Sequence, residues 1–208
     1  MQLNAIAVAV NTRFRGSEVA DIVKRSGAKS LILWPSFKKV NFLEILSSIE
    51  GAAFSQIESV IIYDEAESNV PLKNQLSMSL RSKKLISYQE LIGYSGEEID
   101  NSNEDAGCNI FTTSGTTKAP KFVLHSHRSI SIHAAEVWKN LEPLIKNDAF
   151  FHTLPFCGVF GFNHFSAALF GGRANVIQSA FDAHVALDLI DLHKVHYISA
   201  TDDMLGLY

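Results

Sequence analysis

The chain has 208 residues, 47% of them apolar and 19% charged, with 14 phenylalanines and a formal net charge of −4, the composition of a globular protein with a sizeable core. No Lys/Arg block offsets the negative charge, so no nucleic acid is expected as a partner, and no apolar run approaches the ~18 residues that a membrane span needs. Cys108 and Cys157 lie in apolar surroundings without a CxxC partner, which points to reduced thiols and a cytoplasmic location.

Residues 5–10 form an apolar run with neither a basic leader nor a small-residue cleavage site, and read as a buried strand. Ser17 is placed to cap a helix bearing Val19, Ile22 and Val23 on one face, and Gly27 to stop it. Residues 31–34 read as a strand. Asn41 with Glu44 three residues on predicts a capped helix through Phe42, Ile45, Leu46 and Ile49, closed by Gly51, before a strand at 60–63. Strands alternating with helices of about three turns predict an α/β fold of βαβ units, with a mostly parallel sheet and flanking helices.

Residues 64–84 read as irregular, and a short helix is expected at 88–92. The acidic, Asn/Ser-rich stretch 96–105 reads as a solvated linker between lobes 1–95 and 106–208, and is assigned no chemistry. Beyond it come strands at 109–111 and 122–124, then a helix from Arg128 with Ile130, Ala134, Val137, Trp138 and Leu141 at helical spacing. A strand at 150–154, a helix at 162–170, a strand at 175–177, a helix at 184–192 and a strand at 197–198 complete the pattern. A new helix is expected where the sequence ends at Tyr208.

Between two strand-like runs, residues 112–121 pack five hydroxyls, one glycine and two lysines into ten positions. Hydroxyls and free backbone N–H groups donate to phosphate oxygens, Gly115 permits close approach, and a lysine adds a mobile positive charge. The spacing does not meet the Walker A pattern G-x-x-x-x-G-K-[ST]. An exposed Ser/Thr-rich hairpin loop would have the same composition, so composition alone leaves both readings open.

Thr113-Ser114-Gly115-Thr116-Thr117, Pro120-Lys121 and Ser126-His127 follow in order. They resemble the phosphate signature T-S-G-T-T-G-x-P-K-G, with S-H a few residues on, of the adenylate-forming (AMP-binding) superfamily: acyl-CoA synthetases, luciferase-like enzymes and peptide-synthetase adenylation domains. Val10-Asn11-Thr12-Arg13, Asn147-Asp148, Leu154-Pro155 and Phe181-Asp182 resemble further landmarks of that family in the same order. The resemblance implies that residues 1–208 are a partial adenylation domain. In such a ligase a carboxylic acid attacks ATP, with Mg2+, to give an acyl-adenylate and pyrophosphate, and a thiol, usually that of coenzyme A, captures the acyl group.

By the same resemblance Thr113, Ser114, Gly115, Thr116, Thr117 and Lys121 hold the ATP phosphates, with Lys118, Ser126 and His127 as additional candidates. Lys118 and Phe122 stand where the family has glycines, and Gly158 where many relatives carry a histidine. Phe156, Gly158, Phe160 and Gly161 are candidates for an acyl pocket, although helix-spaced aromatics equally suit an ordinary core. His125, His127 and His133 lack cysteine or carboxylate companions at ligand spacing, so no metal site is assigned.

The family's adenine, ribose and catalytic-lysine segments have no counterpart in these residues. The expectation is a fragment inactive alone, with a non-catalytic nucleotide- or pyrophosphate-binding module and one half of a split ligase as alternatives. Self-association or a complementary chain is expected to cover its cut faces.

Overall fold

A computed structural model describes residues 3–37, 39–63, 72–96, 100–113, 119–145 and 149–206. Residues 64–71, 114–118, the Asn147-Asp148 landmark and Tyr208 lie outside them. The chain divides into two units, one of Thr12–Ile99 with Ser114–Lys121, the other of Met1–Asn11, Asp100–Thr113 and Phe122–Tyr208.

Strand β1 (Ala7–Val8) belongs to the unit that holds Met1–Asn11, and the first helix of the other unit is α1 (Gly16–Ser26). The start of α1 is a correction to the sequence reading. Its N-cap is Arg15, whose backbone N–H donates to the Glu18 carboxylate at 3.1 Å, while the Ser17 hydroxyl also donates to Glu18. Gly27 does end the helix, in the left-handed conformation at φ +64 that favours glycine.

Strand β2 (Ser30–Leu33) leads into a small antiparallel hairpin, β3 (Ser36–Phe37) with β4 (Val40–Asn41), that the pattern gave no sign of. The Asn41 side chain caps α2 (Phe42–Ser47), accepting from the N–H groups of Leu43 and Glu44 at 3.1 and 3.3 Å. This helix stops at Ser47 rather than running to Gly51, which instead opens a 3-10 turn, Gly51–Phe54.

Strand β5 (Ser59–Ile62) follows, and the described part of the segment read as irregular holds a 3-10 turn, Leu72–Gln75, and helix α3 (Met78–Arg81). Strand β6 (Lys84–Ser87) and the expected helix α4 (Tyr88–Ile92) come next. Strands β2, β5 and β6 run parallel in the order β2-β5-β6, with Ile61 between Ile32 and Ile86. Only Leu85 and Ile86 are apolar in β6, too short a run to read as a strand. The unit's core centres on fully buried Phe54, Val60 and Leu80 with Ile22 and Ile57.

In the other unit β7 (Gly107–Thr113) lies between β1, with which it pairs in parallel, and β8 (Lys121–Ser126). Helix α5 (His127–Leu141) follows at once. A second sheet has β9 (Ala149–His152) at its centre, with parallel neighbours β10 (Asn175–Ile177) and β11 (Val195–Ser199). Helices α6 (Val159–Phe170) and α7 (Ala183–Leu192) alternate with these strands, and α8 (Asp202–Leu205) follows the last.

Phe150, Phe151 and His152 of β9 are all buried, so the strand is covered on both faces and its sequence does not alternate apolar with polar residues. Phe150 packs with Trp138, Ile145, Ala167 and Ala168, while Phe151 packs with Ala186 and Val195. Helices therefore cover both sides of parallel strands, the α/β architecture the sequence predicts. Gly171 closes α6 under the Trp138 indole, where a Cβ would lie 2.5 Å from the ring.

Candidate functional site

The candidate phosphate loop leaves β7 at Thr113 and returns at β8. Along β7 the side chains of Cys108, Asn109 and Phe111 are buried, Thr112 is half-buried and Thr113 is exposed at the end of the strand. Burial pushes the Cys108 thiol above its ordinary range. The Thr112 hydroxyl oxygen is itself buried and has no hydrogen-bond partner in the described structure. Such an atom needs a partner the protein has not supplied, a water or a ligand group.

Ser114, Gly115, Thr116, Thr117 and Lys118 lie outside the described residues. The chain resumes at Ala119 and Pro120. The Pro120 carbonyl accepts from the Arg25 guanidinium at 2.6 Å, and Asp21 holds Arg25 in turn through two 2.9 Å hydrogen bonds. Lys121 opens β8 with an exposed side chain. His125 sets its ring edge-on to Phe111 at 5.5 Å, which fixes the strand's inner face.

Ser126 and His127 are engaged locally. The Ser126 hydroxyl oxygen caps α5 by accepting from the Ser129 N–H at 3.2 Å. His127 is the first helical residue; its N–H donates to the Ala106 carbonyl at 3.1 Å, and its Nε2 is buried without a partner. Beside them Arg128 pairs with two carboxylates from the acidic stretch, Asp105 at 2.8 Å through Nε and Glu104 through Nη2. The guanidinium holds the Asp105 carboxyl below its ordinary range, and Asp105 with Glu104 raises Arg128.

The four acyl-pocket candidates divide. Phe156 stacks on Phe165 at 4.5 Å, and both rings meet His152, at 6.1 and 5.8 Å. Phe160 faces outward, 52% exposed, with its ring on His164 at 4.9 Å. Gly158 is the N-cap of α6. Gly161 is buried where a Cβ would come within 2.8 Å of the Leu154 and Pro155 carbonyl oxygens, so glycine there permits close packing of helix on loop.

His152 was not singled out by sequence and is the most enclosed polar group near these rings, 2% exposed. Asn175 Nδ2 donates to the Arg173 carbonyl, which turns Oδ1 toward the imidazole. At 2.6 Å that oxygen accepts from Nε2–H and leaves Nδ1 as a buried acceptor without a partner. Burial pushes the imidazole below its ordinary value of 6.5; Asn175 opposes that and His164 adds to it. Nothing in the sequence marks this residue, because a histidine in an apolar run looks the same whether or not it is paired.

Among the described residues no helix is long and apolar enough to cross a membrane, and no group of three or more His, Cys, Asp or Glu side chains could hold a metal ion.

A family model described as AMP-binding enzyme matches residues 1–207. The chain is 25% identical over 201 residues to 4-hydroxybutyrate–CoA ligase 2 of Metallosphaera sedula, a match that covers 94% of this chain and 34% of that protein. Against the long-chain-fatty-acid–CoA ligase of Thermus thermophilus the identity is 24% over 132 residues, covering 64% and 20%. Among solved structures, the anthranilate CoA ligase AuaEII in complex with anthranoyl-AMP gives a TM-score of 0.74 at 20% identity, over 99% of this chain and 37% of its own. The N-terminal domain of FACL13 from Mycobacterium tuberculosis gives 0.65 at 22%, over 99% and 46%. These structures share the fold, and the chain spans less than half the length of each relative.

Proposed function

The chain belongs to the AMP-binding enzyme family, and on that premise we propose that it supplies the triphosphate grip of an ATP-dependent carboxylate–CoA ligase. One observation carries the reading: the hydroxyl-, glycine- and lysine-rich run 112–121 connects β7 to β8, and within it Thr113 ends β7 and Lys121 opens β8, both with exposed side chains.

In such a ligase a carboxylate oxygen attacks the α-phosphorus of ATP, the bond to the bridging oxygen breaks, and pyrophosphate leaves carrying the charge. The acyl-adenylate that remains is captured by the coenzyme A thiol. Donors fixed around the leaving group stabilise that charge as it develops, each charge-assisted hydrogen bond contributing about 1.5–3 kcal/mol. The reading gives this work to Thr113, Ser114, Gly115, Thr116, Thr117 and Lys121, with Lys118 as a second cation. The unpartnered Thr112 hydroxyl at the end of β7 fits a site that expects polar ligand atoms. Mg2+, when it accompanies the triphosphate, neutralises part of its charge; we place no residue of this chain on it.

The acyl group is assigned to the aromatic neighbourhood of Phe156, with Gly158 opening space where relatives carry a histidine. The reading also puts the protein in the cytoplasm, where ATP and coenzyme A meet. It leaves turnover to the full length of a ligase and gives these 208 residues the grip on the leaving group.

Calorimetric titration of the chain with ATP, pyrophosphate and AMP, each with Mg2+, tests this. ATP and pyrophosphate should bind with similar affinity and AMP far more weakly. AMP binding as tightly as ATP would contradict the reading, because the grip would then be on the nucleoside.

A further inference from the structure

Two of the buried polar atoms that lack a partner among the described residues lie side by side. In the sheet of β9, β10 and β11, Ser199 is the register partner of His152, about 4.8 Å away across the strands. At the pair two residues earlier, the Phe150 and Tyr197 rings meet at 4.7 Å. Side chains two apart on a strand share a face, so His152 and Ser199 lie on the face that Phe150 and Tyr197 line. Helix α6 covers that face, with Phe165 against His152 and His164 against Tyr197. His152 is 2% exposed and Ser199 4%, and neither His152 Nδ1 nor Ser199 Oγ has a hydrogen-bond partner. Burial raises the Tyr197 phenol above its ordinary value, an effect that the neighbouring Ser199 hydroxyl opposes without forming a hydrogen bond.

We infer that His152 Nδ1 and Ser199 Oγ form the far end of the acyl site, and that they select a carboxylic acid carrying a hydroxyl group away from its carboxylate. This rests on the assignment of the acyl group to the neighbourhood of Phe156. The link to that neighbourhood is direct. Phe156 and Phe165 stack on each other at 4.5 Å, and both meet the imidazole, at 6.1 and 5.8 Å. Both rings are half-buried, so the imidazole lies one side chain below the surface.

The donor and acceptor capacities of the two atoms decide what fits between them. Asn175 Nδ2 is tied to the Arg173 carbonyl, and Asn175 Oδ1 accepts the Nε2–H of His152 at 2.6 Å. That leaves Nδ1 as a lone pair that only accepts. Burial keeps the imidazole neutral and the lone pair available. The Ser199 hydroxyl both donates and accepts. A ligand hydroxyl donates to Nδ1 and accepts from Ser199, which satisfies both atoms. A ketone or ether oxygen leaves Nδ1 unpaired, a carboxylate has no proton to offer it, and an ammonium brings a charge into apolar surroundings. A methyl group leaves both atoms unpaired, so the plain alkyl acid is the one the site rejects. A water molecule has the same capacities as a hydroxyl, and the experiment separates the two occupants.

Hexanoate and octanoate are titrated calorimetrically into the 208-residue chain, each beside its counterpart hydroxylated at the far carbon. The hydroxylated acid should bind about tenfold more tightly than the plain acid of the same length. In NMR spectra of the parent chain its far methylene should show a nuclear Overhauser contact to the His152 ring. His152→Phe and Ser199→Ala should each remove most of the preference while leaving the alkyl acids bound. Equal affinities within each pair overturn the inference and leave the acyl assignment standing, as does a preference that survives His152→Phe. A bound hydroxylated acid without the contact to His152 assigns the two atoms to a buried water and overturns the inference with no variant needed. Failure of every acid to bind removes the acyl group from the neighbourhood of Phe156, and the inference with it.

Discussion

At Gly161 a Cβ would sit 2.8 Å from two backbone carbonyl oxygens that cannot move independently of the Leu154-Pro155 turn. Gly161→Ala should therefore cost about 1–3 kcal/mol of stability, as overpacking a close contact does, and a denaturant unfolding curve would read it. His152 makes a pH prediction. Its folded-state pKa lies below the ordinary 6.5, so the unfolded chain takes up the proton first. Its contribution to stability is full above that ordinary value and is lost progressively as pH falls below it toward the lowered folded value. Unfolding curves between about pH 7.5 and pH 5 should show a steeper loss in the parent than in His152→Phe; equal slopes would remove this imidazole from the account. Individual residues were legible where their chemistry is local: the Asn41 cap of α2 and the Gly27 stop of α1 can be read from the residues themselves, whereas composition alone left the hydroxyl-rich loop open between a phosphate cradle and an ordinary hairpin loop. Glu104, Asp105 and Arg128 were not legible as partners, because their partnership spans 23 or 24 positions of sequence and each looks like an ordinary surface charge.

Elements came through where a cap or a period fixed them. Asn41 caps α2, Gly27 ends α1, and the apolar spacing that places Ala134 and Trp138 on one face of α5 corresponds to the residues the structure buries there. The errors fall where tertiary partners decide. Arg15 and Glu18 begin α1 because the glutamate reaches back for a free N–H, which one local pattern cannot separate from a cap at Ser17. Strand β6 exists because β5 offers it a parallel edge, not because Leu85 and Ile86 insist on it. Truncating the cap as Ser126→Ala should destabilise α5 by about 1 kcal/mol, the usual loss when a serine N-cap is removed, and a shift in the chemical denaturation midpoint would measure it.

At the scale of the whole molecule, the fold class was legible from strand and helix alternation alone; the structure divides the chain into two units, each assembled from separated stretches of chain. The unit holding the two β7- and β9-centred sheets leaves Leu124, Leu144, Phe170, Leu187 and Leu192 all more than 40% exposed. Surface of that kind drives association when it is not covered, so sedimentation should show the chain self-associating with concentration; a monodisperse monomer throughout would contradict this. The central claim is that residues 113–121 grip a pyrophosphate through Lys121. Calorimetric titration of pyrophosphate into the parent chain, Lys121→Ala and Lys118→Gly decides it. The account predicts a loss of about 1.5–3 kcal/mol at Lys121, smaller at high salt, and a lesser change at Lys118. Equal losses at the two lysines, or a greater loss at Lys118, would contradict it.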